Sequence, residues 1–262
     1  MPADPSTWLL LLAAAFGAGV LNAIAGGGSF LTFPALVFTG VPPIAANATS
    51  AVAVSPGYLG STLGFRAELA ALPRALLLRE GLICAGGGVA GALLLLVTPA
   101  KVFSAIVPWL LLFATAVFAL GPRLLAALRA RGRGAADPGI GADTVAHPLL
   151  RNGGLFGVAV YGGYFNGGLG ILLMALYALA GEAHIHTANA LKNFNSLVLS
   201  LLSVAAFAWA GAVHWPQALV MAAAATGGGF VGARIARRLP AAAVRAIVIG
   251  TGLVMAAVFF SR

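Results

Sequence analysis

Long apolar runs alternate with short polar segments along most of the chain, and their lengths predict membrane helices. A helix needs about 20 residues to cross the ~30 Å hydrocarbon layer. The runs at 29–40 and 168–180 are shorter. A dozen residues reach only about 18 Å, so these two predict re-entrant or half-membrane helices. The other runs lie at 8–25, 46–63, 76–97, 102–121, 152–165, 188–210, 217–233 and 243–260.

The first half contains a membrane segment interrupted by residues that break helices. Three consecutive glycines at 26–28 free the backbone from helical angles, and Pro34, Pro42 and Pro43 each lack a backbone donor. Within lipid, broken backbone is tolerated only where protein buries it or where it lines a polar cavity. The interruption therefore predicts a cavity near the membrane midplane, bordered by half-helix N-termini that attract anions.

Residues with special backbone properties recur at a constant spacing, which indicates an internal repeat. The spacing is 181 − 40 = 141 positions for Gly40 and Gly181, and it also pairs Ser55 with Ser196. The same spacing pairs the glycines at 26–27 with 167–168, those at 86–88 with 227–229, Gly91-Ala92 with Gly232-Ala233, and Pro99 with Pro240. We therefore predict a first transmembrane repeat at 1–121, a linker at 122–151 and a second transmembrane repeat at 152–262.

Positive charges are distributed oppositely in equivalent loops. The loop near 66–79 contains three arginines, whereas its equivalent at 207–220 has no Lys or Arg. Conversely, the turn at 98–101 contains one cation and its equivalent at 234–245 contains four. Because Lys and Arg favour the cytoplasmic side, the two repeats are predicted to be inverted, with an odd number of crossings each. The glycine-rich linker, with five arginines, is predicted to be a flexible cytoplasmic loop.

Composition agrees with an all-α polytopic membrane protein. Hydrophobic residues make up 61% of the 262 positions and charged residues only 8%, against about 25% charged in soluble domains. The net charge of +9 follows the topology pattern rather than a nucleic-acid footprint. The single Cys84 excludes an intrachain disulfide and a thiolate metal cluster. No Walker-type sequence is present, which argues against ATP-driven transport by this chain alone.

One pattern resembles a known family. Positions 17–29 read Gly-x-Gly-x-x-Asn-x-x-x-Gly-Gly-Gly-Ser, and Gly-Val-Pro-Pro and Ala-Asn-Ala-Thr-Ser follow by position 50. This resembles the sulfite exporter TauE/SafE family of bacterial membrane transporters, and a weaker second copy lies at 157–196. The resemblance implies a substrate class of sulfite, sulfoacetate or related organosulfur and carboxylate anions. The second copy has Gly170 where the first has Ser29, so the two halves of the site need not be equivalent.

Lys192 is the most informative single residue, because it lies in an apolar run where an ammonium is costly unless it is paired or hydrated. We interpret it as an anion site, and snorkelling to the interface is the alternative. Neutral amides and hydroxyls around the breaks can coordinate oxyanions, although they can also cap half-helices or link neighbouring helices. The predicted substrate-binding residues are Asn22, Gly27, Gly28, Ser29, Asn47, Thr49, Ser50, Asn166, Gly168, Asn189, Lys192, Asn193 and Asn195.

The remaining titratable residues give weaker indications. His184, His186 and His214 lie in loops and are interpreted as ordinary loop histidines, with a coupling proton and, less readily, a metal as the alternatives. Glu80, with Arg79 and Arg74, suggests interfacial anchors or local ion pairs, and a cytoplasmic gate is the lesser option. An intramembrane serine protease is disfavoured, because no Gly-x-Ser-Gly sequence and no histidine within an apolar run occur.

The sequence therefore predicts a secondary transporter that moves a small anion across the bacterial cytoplasmic membrane by alternating access, without a cofactor or enzymatic activity. An anion channel and a non-transporting membrane partner of a larger complex are the alternatives. The predicted partners are the anion and the lipid bilayer, while a coupling proton and a homodimer are left open.

Overall fold

The computed structural model describes residues 4–25, 28–134, 148–182, 184–235 and 241–261, and this part of the chain is all-helical. Its helices are α1 (Pro5–Ala25), α2 (Ser29–Phe38), α3 (Pro43–Gly64), α4 (Arg66–Ala70), α5 (Arg74–Val97), α6 (Ala100–Gly134), α7 (Pro148–Tyr164), α8 (Leu169–Leu179), α9 (Ile185–Trp209), α10 (Trp215–Ile235) and α11 (Ala241–Phe260).

The predicted apolar runs correspond to helices one for one, with α4 as a short addition. Both short runs form short helices, of 10 residues in α2 and 11 in α8. Four described segments are long and apolar enough to cross a membrane: Pro5–Asn22, Arg74–Val97, Ala100–Gly121 and His186–Trp209. Large apolar side chains on α5 such as Leu78, Leu82 and Val97 are exposed, as lipid contact requires. The all-α membrane fold is confirmed.

Each short helix ends in the same turn and folds back onto the next helix. Gly40 has φ +87° and Gly181 has φ +79°, a conformation that favours glycine. The next amide bonds back over the turn in both halves, from Val41 to Leu36 O at 3.0 Å and from Glu182 to Tyr177 O at 2.9 Å. These Schellman caps lie 141 positions apart, which agrees with the predicted repeat spacing.

The two halves pack on each other reciprocally. Helix α1 packs on α10, and its repeat equivalent α7 packs on α5, the equivalent of α10. In the same way α3 contacts α10, and its equivalent α9 contacts α5. The equivalent helices α3 and α9 also contact each other, as do α6 and α11. A two-fold axis between two similar halves produces this pattern. The packing supports the repeat, and its inversion across the membrane stays a prediction.

The predicted linker is largely helical where the structure describes it. Helix α6 continues to Gly134 and α7 begins at Pro148, so the prediction of a flexible loop over all of 122–151 is wrong. The segment after Pro122 is rich in Leu, Ala and Arg, which are strong helix formers and continue the preceding helix. Residues 135–147 lie outside the described residues, and the cytoplasmic location of the linker stays a prediction.

Close packing of α5 on α7 depends on glycine. A Cβ atom at Gly91 would overlap the carbonyl oxygen of Val160, whereas a Cβ at Gly86 meets nothing within 4 Å. Overpacking of this kind costs about 1–3 kcal/mol. We expect Gly91→Ala to lower the thermal unfolding temperature in detergent and Gly86→Ala to leave it unchanged or raise it. Equal unfolding temperatures for the two variants would contradict this packing.

Candidate functional site

The two helix breaks meet in the interior of the protein. The first lies between α1 and α2, and the second, at 165–168, lies between α7 and α8. Ser29 Oγ, at the start of α2, donates to the Asn166 carbonyl oxygen at 3.4 Å. The Phe33 and Phe165 rings pack edge to face with centroids 5.6 Å apart. The two breaks, one from each half of the chain, therefore build one junction.

Glycines shape both sides of this junction. Gly168 has φ +76° and immediately precedes α8, and Tyr161 OH donates to the neighbouring Gly167 carbonyl oxygen at 2.6 Å. Gly28 precedes α2, and a Cβ there would lie 2.9 Å from the Ala18 carbonyl oxygen. Gly27, also a predicted site residue, lies outside the described residues.

Two predicted asparagines hold the junction together. Asn47 is buried on α3 and its Nδ2 donates to the Tyr164 carbonyl oxygen, at the end of α7, at 3.0 Å. Asn166 Oδ1 accepts from Tyr58 OH at 3.1 Å. Carbonyl groups at a helix end lack partners within the helix. Asn47 therefore caps a half-helix, which is the structural alternative to substrate binding at this position.

Thr49 and Ser50 are also engaged with protein. Thr49 Oγ1 accepts from the His214 amide at 3.0 Å and so links α3 to the turn before α10. Ser50 Oγ shares a hydrogen bond of 2.6 Å with Thr32 Oγ1, and both residues are buried. Sequence reasoning missed Thr32, although it lies one turn after Gly28 in the same polar stretch.

Asn22 lies at the wall of a cavity of about 390 Å³ between α1, α3 and α10. Its other polar lining residues are Ser61 and Thr226, and Gly57 and Gly229 contribute backbone walls. Among the residues that the structure describes, no charged side chain lines this cavity. It lies beside the first break, while the predicted midplane cavity where both breaks meet stays a prediction.

Helix α9 has several polar residues, two of which have a buried side-chain atom without a hydrogen-bond partner among the described residues. Lys192 is half-buried, and no carboxylate pairs with it among the described residues. Asn195 Oδ1 and Ser196 Oγ are buried without a protein partner, and Asn193 is also buried. Spacings of three and four residues place Lys192, Asn195 and Ser196 on one face, which also includes the half-buried Asn189. On this face Lys192 and Ser196 can donate hydrogen bonds to an anion, whereas Asn195 donates to Glu80 and Tyr177.

A buried ionic cluster centres on Glu80. Arg151 Nε donates to Glu80 Oε1 at 2.7 Å. Arg151 Nη2 also lies 2.7 Å from Oε1, but its geometry does not make a hydrogen bond. Tyr177 OH and Asn195 Nδ2 each donate to Oε2 at 2.8 Å. Asn195 Nδ2 also lies 2.6 Å from Tyr177 OH. Donors thus face both oxygens, as an ionised carboxylate requires.

This cluster corrects two expectations. Glu80 is fully buried and pairs with Arg151, so its interpretation as an interfacial residue paired with Arg79 or Arg74 is wrong. Arg151 belongs to the interior rather than to a flexible loop. The signal was present in the sequence, because Glu80 is the one carboxylate inside an apolar run, and such residues in membrane helices are usually functional.

The loop histidines form no cluster in the part of the chain that the structure describes. His184 is exposed and its Nδ1 lies 3.9 Å from Glu182 Oε1. No group of three or more His, Cys, Asp or Glu residues that could hold a metal ion occurs among the described residues. Their proton-carrying role stays untested.

Comparison with known proteins relates nearly the whole chain to membrane transporters. The sequence profile described as "Sulfite exporter TauE/SafE" matches residues 11–259. The "Probable membrane transporter protein ORF9" of Sinorhizobium sp is 28% identical over 246 residues, which cover 94% of this chain and 89% of that protein. A "Probable membrane transporter protein" of Haemophilus influenzae is 28% identical over 255 residues, covering 95% and 92%. Escherichia coli YfcA, also named a probable membrane transporter protein, is 29% identical over 231 residues, covering 85% and 76%. No solved structure matches the chain.

Proposed function

This chain belongs to the sulfite exporter TauE/SafE family of membrane transporters, and from that premise we propose that it is a secondary transporter of a small organosulfur or carboxylate anion. It works by alternating access in the bacterial cytoplasmic membrane. The observation that carries this proposal is the junction of two broken helices, one from each half. Secondary transporters bind substrates where such discontinuous helices meet.

The electrostatics of the second half favour an anion as the substrate. Lys192 brings a positive charge into a long apolar helix without a carboxylate partner among the described residues. Asn193, the next residue, has an amide group, and Ser196, one turn along the same face, has a hydroxyl group, whereas Asn195 already uses its Nδ2 on Glu80 and Tyr177. An oxyanion would compensate the Lys192 charge and accept hydrogen bonds from the neighbouring donors. We therefore assign Lys192 as the main anion-binding residue.

The polar residues of the first half divide into two groups under this proposal. Ser29 and Gly28 border the junction and remain candidates for substrate contact. Asn47, Thr49 and Ser50 make hydrogen bonds to other parts of the protein. Their principal role is then to hold the broken helices in place, so that the anion site is preorganised.

The reciprocal packing supports alternating access. Helices α1 and α10 form one closely packed pair, and α5 and α7 form the other. Combined with the opposite charge bias of equivalent loops, this arrangement suits an inverted repeat. Rocking of the pairs about the junction would expose the site to each side of the membrane in turn.

Uptake by proteoliposomes tests the proposal. We expect the purified protein to accumulate at least one of labelled sulfite, sulfoacetate or acetate, with a rate that saturates as the anion concentration rises. Liposomes without protein are the control for leakage. A flux that rises linearly with concentration would indicate a channel instead. Absence of uptake of all three by folded, inserted protein would remove this substrate class.

A further inference from the structure

Glu80 is the single carboxylate within the apolar runs. The other acidic residues are Asp4, Glu68, Asp137, Asp143 and Glu182, all between or outside those runs. The Glu80 side chain is 0% exposed and that of Arg151 is 10% exposed. A buried ion pair generally stabilises a fold no better than apolar packing does, because both charges lose their hydration. A contribution to stability alone therefore does not explain why Glu80 and Arg151 are buried here.

The other half of the protein shows that the fold does not require this cluster. The repeat spacing of 141 relates Glu80 to Met221, since 221 − 80 = 141. The same spacing relates Arg151 to Leu10, Tyr177 to Leu36 and Asn195 to Val54. All four polar positions are therefore apolar in the other half. Met221, Leu36 and Val54 are buried and Leu10 is 39% exposed, so three of the four equivalent positions are packed in the interior without charge.

The cluster also connects the two halves. Glu80 lies on α5 of the first half, and its three hydrogen-bond partners lie on α7, α8 and α9 of the second. Asn195, on α9, is one turn from Lys192 of the proposed anion site. A shift of α9 on anion binding would thus withdraw a donor from Glu80. A buried carboxylate that loses its donors is costly to keep charged.

Each helix that packs against α5 at Glu80 contributes a polar or charged group near the carboxylate. These groups are Arg151 from α7, Tyr177 from α8 and, from α9, the neutral Asn195 and, a turn away, Lys192, while Cys84 lies one turn along α5 itself. Arg151 is the only cation that contacts the carboxylate among the described residues.

We propose that Glu80 is the proton-binding residue that couples anion transport to a proton gradient. This inference rests on the proposed transport function. When the halves rearrange, Glu80 leaves Arg151 and Asn195 and takes one proton from the solution on one side. When the cluster forms again, Arg151 replaces that proton, which leaves to the other side. One proton thus crosses in each cycle, and Arg151 acts as a positioning residue for the carboxylate.

The test separates coupling from transport. Proteoliposomes are loaded with the transported anion, preferably sulfoacetate because its sulfonate stays ionised, and the membrane potential is clamped to zero. For one coupled proton, we expect wild-type accumulation to change about tenfold for each unit of pH difference. Glu80→Gln should abolish this dependence, while exchange of labelled for unlabelled anion at equal pH persists. Glu68→Gln, on the short helix α4, is the matched control and should respond like the wild type.

Several results would overturn the inference. These are an unchanged pH response in Glu80→Gln, loss of both accumulation and exchange in the folded variant, or wild-type transport without any pH response. If the wild type carries none of the three anions, the proposed function fails separately. A substrate-free readout then decides about Glu80: acidification should produce an infrared band of a protonated carboxyl group in the wild type and not in Glu80→Gln. Lack of that difference would refute proton binding at Glu80.

Discussion

Replacing Glu80 by methionine alone is expected to destabilise the protein by about 3–5 kcal/mol, because it leaves Arg151 buried without its partner. The double variant Glu80→Met/Arg151→Leu should recover most of this loss and unfold within about 1 kcal/mol of the wild type. Methionine and leucine are the residues found at the equivalent positions of the other half, Met221 and Leu10. Thermal unfolding of all three proteins in the same detergent checks the prediction.

The double variant also protects the coupling test against a folding failure. If Glu80→Gln does not fold, the double variant should still insert and exchange anion, but accumulate it without regard to pH. A single Arg151→Leu control should be as destabilised as Glu80→Met, since it leaves a buried carboxylate unpaired. Additive rather than compensating effects of the two substitutions would show that the 2.7 Å contact between Arg151 and Glu80 does not couple them energetically.

Lys192→Ala is expected to reduce anion uptake, measured as kcat/KM, by about 10- to 100-fold. A hydrogen bond to a charged group contributes about 1.5–3 kcal/mol, and each 1.4 kcal/mol corresponds to a factor of ten. The same variant should not lose thermal stability, because Lys192 forms no ion pair among the described residues that its removal would break. A variant with lower uptake and an equal or higher unfolding temperature identifies a residue that serves transport at the expense of stability.

Lys101→Ala is the matched control, since Lys101 is exposed on α6 and is the other lysine of the chain. It should transport at the wild-type rate. Lys192→Arg should retain part of the uptake, because it keeps the charge with a different donor geometry. Normal uptake by Lys192→Ala would favour the snorkelling interpretation and would move the anion site elsewhere.

The elements of this fold were readable from the sequence because they depend on local and repetitive properties. An apolar segment in a membrane must be helical to satisfy its backbone, so run lengths predicted both the long helices and the short α2 and α8. The repeat spacing predicted that Gly40 and Gly181 occupy equivalent positions, and the structure has the same glycine turn at both. The loop prediction for 122–134 is wrong because the Leu, Ala and Arg residues of this segment favour a helix more than Gly132 and Gly134 oppose it.

The polar contacts were decided by tertiary structure. Glu80 and Arg151 are 71 positions apart, and Asn47 and the Tyr164 carbonyl are 117 apart. A sequence shows that Asn47 is polar within an apolar run, yet whether it caps a helix or faces a substrate depends on which helix end lies opposite. The sequence by itself therefore determined the helices, since backbone bonding in helices is local, and it carried the motif of the family, while the repeat stays a prediction that the reciprocal helix packing supports. Only the way the helices cross decided which polar side chains are paired, because buried polar groups must find partners across elements; that Lys192 binds a ligand stays a prediction.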